Sequence, residues 1–272
     1  MLSPGIVLMI IAGILSAGSA RPTPQVLAHR GASGYAPETT LASYRMALQM
    51  KVDYLELDLQ MAADGELVAI HDTTVDRTTN GKGPVGGKDL AQLKELDAGS
   101  WFNRSFPDKA RNEYVGEKIP TLQEIIDLTK PTSAGLYIEL KSPELYPPDF
   151  EAKLLSILRR NKFEQRVLVQ SFNAHSIEKM KSLDAGIRTA LLVGNLSSEP
   201  VAATLKVREN ELAISYELLT PEIVKRARDN GLTIAVWTVD EVDAMKRMIE
   251  LGVDRIITNY PDRLQTLLKE IR

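Results

Sequence analysis

Residues 221–262 read PEIVKRARDN GLTIAVWTVD EVDAMKRMIE LGVDRIITNY PD. Two apolar runs, 233–238 and 255–258, have the length and the β-branched content of buried strands. Segments 221–230 and 242–251 have helical length and pattern. The punctuation agrees: Gly231 and Gly252 follow the two helices, and Pro221 and Pro261 stand where helices begin. Helix, strand, helix and strand in this order form the unit from which parallel sheets are built.

The same alternation extends toward the N-terminus. Strands are predicted at 26–29, 54–59, 67–70, 136–140, 167–170, 189–193 and 212–215, and helices at 41–50, 122–128, 150–161 and 176–183. A further helix is predicted at 262–271. About eight strand–helix units in 272 residues suggest an α/β chain closed into a (β/α)8 TIM barrel. An open doubly wound sheet is the runner-up, but no Gly-x-Gly-x-x-Gly opens its first helix. Residues 72–118 break the alternation. They are polar and glycine-rich and directly follow His71, so they read as a small insertion over the barrel mouth.

Hydrophobic residues make up 44% of the chain and charged residues 25%, which excludes global disorder. The net charge of −3 gives no basic excess for nucleic acid. The absence of cysteine excludes disulfides and thiolate metal sites. Residues 1–20 contain no charged side chain, and residues 6–15 form an apolar run broken only by Gly13. That run is short for a membrane span, which needs about 20 residues. With the small residues Ala17 to Ala20 behind it, the segment reads as a signal peptide or an N-terminal hydrophobic segment, the barrel domain then occupying 24–272. Secretion or a periplasmic location is the expectation, and anchoring to a membrane through residues 1–20 is the alternative.

In a parallel barrel the chemistry sits at the C-terminal strand ends. Side chains alternate along a strand, so Leu55, Leu57 and Leu59 share one face, and Glu56 and Asp58 share the other. Glu139 likewise opposes Leu136, Ile138 and Leu140. If the leucine face meets the outer helices, three carboxylates enter the barrel, where unpaired charge is expensive. A hard divalent cation, Ca²⁺ or Mg²⁺, fits such oxygen ligands. Lys141 is a competing counter-charge. Of only three histidines, His29 and His71 end predicted strands, whereas His175 reads as a surface or capping residue. A histidine pair supplies one base and one acid, the two proton transfers that phosphodiester cleavage needs. Arg30 is placed to grip phosphate oxygens with its forked donors. Trp237 reads either as a pocket wall or as a core aromatic, and Asn259 as loop chemistry before Pro261.

Ala28-His29-Arg30-Gly31 followed by Pro37-Glu38-Thr39-Thr40 resembles the opening of the glycerophosphodiester phosphodiesterase family. So does the order that follows: Glu56-Leu57-Asp58, His71-Asp72, Asp97-Ala98-Gly99-Ser100-Trp101-Phe102, Ile119-Pro120-Thr121-Leu122, Glu139-Leu140-Lys141, Gln170-Ser171-Phe172, Val236-Trp237-Thr238-Val239 and Thr258-Asn259-Tyr260-Pro261-Asp262. The resemblance runs from about Val26 to Leu267. It implies metal-dependent hydrolysis of glycerophosphodiesters, such as glycerophosphocholine or glycerophosphoethanolamine, to sn-glycerol 3-phosphate and an alcohol. It puts the ligands of one divalent cation on Glu56, Asp58 and Glu139, the acid/base pair on His29 and His71, and phosphate binding on Arg30 and Lys141. This chain has Thr39 where the family usually has Asn, which bears on the loop beside Glu38. Two alternatives stand beside this reading. One is a lysophospholipase D, for which Trp101, Phe102 and Phe106 would form an apolar mouth. The other is a non-catalytic phosphodiester-binding barrel.

Overall fold

The computed structural model describes residues 23–141, 145, 149–195 and 199–271. The signal-peptide reading of residues 1–20 lies outside the described residues. Among those described, no helix is long and apolar enough to cross a membrane.

Nine strands are present among the described residues: β1 (Gln25–Ala28), β2 (Tyr54–Met61), β3 (Leu67–Ala69), β4 (Gly135–Leu140), β5 (Val167–Ser171), β6 (Arg188–Val193), β7 (Glu211–Ser215), β8 (Thr233–Trp237) and β9 (Arg255–Thr258). All except β3 pair in parallel, and the β1–β2 pairing, with Leu27 opposite Tyr54, closes the ring. The expected (β/α)8 barrel is therefore the observed fold. Strand β3 stands outside the ring. It pairs antiparallel with Leu59 to Met61 at the end of β2, of which Gln60 and Met61 run on past the pairing with β4.

The helices are α1 (Leu41–Gln49), α2 (Leu90–Glu95), α3 (Ser100–Ser105), α4 (Leu122–Thr129), α5 (Phe150–Asn161), α6 (Ala174–Leu183), α7 (Pro200–Lys206), α8 (Pro221–Asp229), α9 (Val242–Leu251) and α10 (Pro261–Glu270). Eight of them follow barrel strands and form the outer ring, while α2 and α3 belong to the segment between β3 and α4. Helix starts carry the expected side-chain caps: Thr121 and Glu124 form a reciprocal capping box on α4, and Thr220 caps α8 ahead of Pro221. The predicted helices omitted α7, whose seven residues are too few to display a helical period.

Alternation along the strands separates two cores. Leu55, Leu57, Leu59, Leu136, Ile138 and Leu140 pack outward with Leu122, Ile125 and Ile126 of α4. Inside the ring, Leu27, Tyr54, Tyr137, Leu168, Ala213, Ala235 and Ile257 form a separate cluster. Beside that cluster, Glu211 of β7 makes a buried ion pair with Arg255 of β9 and accepts hydrogen bonds from Tyr137 (2.6 Å) and Thr233 (2.8 Å).

The segment between β3 and α4 has its own cores. Ile70, Val75, Val85, Leu93 and Ile119 form one cluster, and Phe102, Tyr114 and Ala36 form another that joins the segment to the β1–α1 loop. Phe102 is thus a core residue of this segment. Lys109 adds a second tie: its ammonium lies 5.5–5.9 Å from the ring centres of Tyr35, Phe106 and Tyr260 and donates to Gly34 O at 2.8 Å.

Candidate active site

The parallel register brings the acids together. Asp58 lies opposite Glu139 across β2 and β4, and Glu139 lies opposite Gln170 across β4 and β5. Glu56, two residues before Asp58, shares its inward face. One oxygen from each of Glu56, Asp58 and Glu139 falls within 4.8 Å of the others, and all three residues are buried.

Two cations face this group. Lys141 Nζ lies 3.0 Å from Glu139 Oε1 and 3.7 Å from Asp58 Oδ1. Arg30 adopts a left-handed backbone conformation (φ +55°), an uncommon one for a residue with a side chain. Gly31 follows at φ +82°, where an added Cβ would come within 2.5 Å of Ser43 Oγ. This turn lets the Arg30 N–H donate to Glu56 Oε2 (2.9 Å) while Nη1 donates to Glu38 Oε1 (2.9 Å). Arg30 Nε lies 3.1 Å from Asp58 Oδ2, but the pair is not aligned for a hydrogen bond.

Burial and mutual repulsion divide the carboxylates. Burial and the neighbouring Asp58 push Glu56 well above its ordinary value, and the same two causes push Glu139 up to about 7. Asp58 is equally buried, yet Arg30 and Lys141 together override that cost and hold it below its ordinary value. Asp58 Oδ2 and Gln170 Oε1 are buried acceptors without a hydrogen-bond partner. The donor set therefore fits a hard divalent cation: all oxygen, convergent, over-supplied with negative charge and incompletely satisfied. Fully ionised, as a bound cation would hold them, the three carboxylates would outweigh the two side-chain cations and make the group net negative. A divalent ion would reverse that sign, which suits a phosphodiester anion.

The two histidines sit on the same pocket, about 120 Å³, whose lining includes Arg30, Glu56, Glu139, Lys141 and Gln170. Their ring partners differ. His71 Nδ1 lies 2.7 Å from Asp72 Oδ1, and Asp72 is gripped by Arg77 through Nε (2.8 Å) and Nη2 (3.0 Å). Arg77 also spans to both oxygens of Glu38 at 2.8–2.9 Å, linking the segment after β3 to the β1–α1 loop. His29 Nδ1 instead meets a neutral amide, Asn259 Oδ1, at 2.7 Å. Burial, reinforced by Arg30, lowers the His29 pKa to about 4, so its ring is neutral at physiological pH.

Trp237 also lines the pocket and meets Phe172 edge to face, with ring centres 5.7 Å apart. His175 lies away from it, exposed on the first turn of α6, with its N–H donating to Asn173 Oδ1 (3.0 Å). The candidate residues His29, Arg30, Glu56, Glu139, Lys141, His71 and Trp237 thus meet on one pocket, and Asp58 converges with Glu56 and Glu139. Sequence reasoning missed Arg77, which no local pattern marks. Asn259 and Gln170 both stand at strand ends, but no local pattern tells their roles from loop or strand-end chemistry.

A family model described as the glycerophosphoryl diester phosphodiesterase family matches residues 29–263. A glycerophosphodiester phosphodiesterase of Bacillus subtilis is 41% identical over 253 residues, covering 89% of this chain and 86% of that protein. Another from Caldanaerobacter subterraneus subsp. tengcongensis is 39% identical over 245 residues, covering 90% of this chain and 98% of that one. Among solved structures, an Oleispira antarctica phosphodiesterase in complex with the product sn-glycerol-3-phosphate superposes with a TM-score of 0.83 at 31% identity. That match covers 91% of this chain and 97% of the other.

Proposed function

Because this chain belongs to the glycerophosphoryl diester phosphodiesterase family and is an enzyme of that activity, we propose that it uses a divalent cation and two histidines to hydrolyse glycerophosphodiesters. Glycerophosphocholine and glycerophosphoethanolamine are the proposed substrates, and sn-glycerol 3-phosphate and the free alcohol are the products. The observation that carries this reading is the meeting of a carboxylate trio, two cations and two histidines with unlike partners on one pocket. The product bound to the Oleispira antarctica relative supports the choice of product.

Glu56, Asp58 and Glu139 are the residues that would hold the cation, Ca²⁺ or Mg²⁺. When bound it supplies Lewis acidity to the phosphoryl group and neutralises charge. Arg30 and Lys141 bind the non-bridging phosphate oxygens, Arg30 through its forked donors. The glycerol 2-hydroxyl attacks phosphorus, giving a cyclic phosphate that water opens in a second step. His29, buried and neutral, accepts the proton of the attacking hydroxyl at Nε2. His71, with a carboxylate against its Nδ1, delivers a proton to the departing alkoxide. In the second step the two rings exchange roles.

The test is turnover of glycerophosphocholine, followed by coupled oxidation of the glycerol 3-phosphate released. It is run with EDTA, and with His29→Ala and His71→Ala. Each condition is expected to lose activity, and full activity in any of them overturns the scheme. Lysophosphatidylcholine in the same assay tests the lysophospholipase D alternative. Its apolar-mouth argument is weakened by the burial of Phe102 in the core of its own segment.

A further inference from the structure

His29 is held by more than Asn259. The Asn259 side chain is itself pinned: its Nδ2 donates to Asp240 Oδ2 at 2.6 Å, and its backbone N–H donates to Asp240 Oδ1 at 2.9 Å. Thr258 Oγ1 donates to the same Oδ1 at 3.1 Å. On the other side, Asn259 Oδ1 lies 2.7 Å from His29 Nδ1 and 2.6 Å from Ser33 Oγ, whose single proton is shared between that oxygen and His29 O at 2.7 Å. An ionised carboxylate accepts only, so the Asn259 edge facing Asp240 must be the NH₂ group. The oxygen must then face the ring, and the ring must present N–H at Nδ1. The lone pair is left on Nε2.

We propose that Asp240 is a positioning residue for the hydrolysis, acting through Asn259 to set the tautomer of His29. Asp240 itself touches neither the carboxylate trio nor the pocket. It lies on the segment after β8, and Asn259 lies after β9, so the relay spans two strand ends before it reaches β1. This rests on the acid/base reading of His29. The decisive substitution is the near-isosteric Asp240→Asn. Its single amide oxygen is needed by the Asn259 N–H and Thr258, so its NH₂ faces Asn259 Nδ2 and two donors oppose each other. Turning the Asn259 amide over relieves that opposition and points an N–H donor at His29 Nδ1. The ring must then carry its proton on Nε2, where the base needs a lone pair. The fold can stay intact, because every group finds a partner in the turned arrangement.

The experiment combines kinetics with ¹⁵N spectroscopy of the histidine rings at mildly alkaline pH. For Asp240→Asn, kcat is expected to fall about 10²–10⁴-fold, the usual contribution of a correctly protonated base. KM and the melting temperature stay close to wild type. The His29 Nδ1 resonance moves from the pyrrole-like to the pyridine-like range, and Asp240→Glu recovers part of the rate. Unchanged kcat, or a His29 ring that keeps its proton on Nδ1, overturns the proposal. His29→Ala assayed alongside separates the two claims. Full activity there sinks the acid/base reading and with it the catalytic use of the relay, whereas the ring spectrum of Asp240→Asn tests the relay independently.

Discussion

His71 and Asp72 are adjacent in the chain and hydrogen-bonded in space, Nδ1 to Oδ1 at 2.7 Å, with Arg77 closing on the far side of the carboxylate. Hydrogen bonds from Arg77, then the contact with His71, hold Asp72 well below the usual carboxylate range, so it remains an anion throughout the working pH range. Asp72→Asn is expected to lower kcat roughly 10²-fold, with a smaller drop for Arg77→Met. Steady-state release of glycerol 3-phosphate measures both. Wild-type kcat in Asp72→Asn would show that the ring needs no anionic partner.

Cation binding by the carboxylate trio predicts linked stability. At a cation concentration near 100 times Kd, the folded state gains about 2.7 kcal/mol, which raises Tm by roughly 5–10 °C in a domain of this size. Calorimetry with Ca²⁺ or Mg²⁺ added to EDTA-treated protein should show the rise, and Glu139→Gln should abolish most of it. An equal rise in that variant would place the ion elsewhere.

The pH dependence follows from Glu139, whose value is pushed up from 4.5 to about 7, first by burial and then by Asp58. Between those values the metal-free folded state binds a proton that the unfolded chain has released. Its contribution to stability is therefore full below about 4.5 and lost as pH rises through about 7. A cation needs the deprotonated form, so its affinity should climb across the same interval and its binding should release protons. Titration calorimetry in buffers of different ionisation enthalpy measures that release. Metal affinity flat from pH 5 to 7 would contradict it.

Thr39, the departure from the family pattern, lies at φ +55° and is buried, with its N–H donating to Arg30 O at 3.0 Å. A β-branched residue is strained in this conformation, whereas Asn tolerates it. Thr39→Asn should stabilise the protein by about 1 kcal/mol, or roughly 2–4 °C in Tm. A lower Tm in thermal melts would mean that the lost Thr39 Oγ1 bond to Glu38 O outweighs the relief.

Inside the barrel, Arg255→Met removes the cation from Glu211 while leaving its Tyr137 and Thr233 hydrogen bonds. An uncompensated buried carboxylate should cost about 3–5 kcal/mol. The double variant Arg255→Met, Glu211→Leu should recover much of that loss. Denaturant unfolding of the two variants decides the point.

The alternation in Tyr54 to Leu59 was enough to predict which way the carboxylates face, because side-chain direction along a strand is a local property. The outer ring was legible wherever a helix had room for a period; α7, capped by Glu199 and opened by Pro200, has only seven residues and shows none. The segment after β3 is legible only as a small polar insertion, without its helices or cores, because its clusters around Leu93 and Phe102 are assembled from scattered positions. Arg77 was invisible for the same reason: its partner Glu38 lies 39 residues away.

By itself, then, the sequence determined the order of strands and helices and which acids, histidines and cations stand at strand ends. Spacing, turn residues and strand periodicity all act over a few residues. Only the tertiary structure decided which partner each histidine receives. His29 meets Asn259 across 230 residues of chain because β1 pairs with β9 when the barrel closes, and Asp240 then turns that amide. The proton position on a catalytic ring depends on hydrogen bonds between distant strand ends, and no local propensity carries that information.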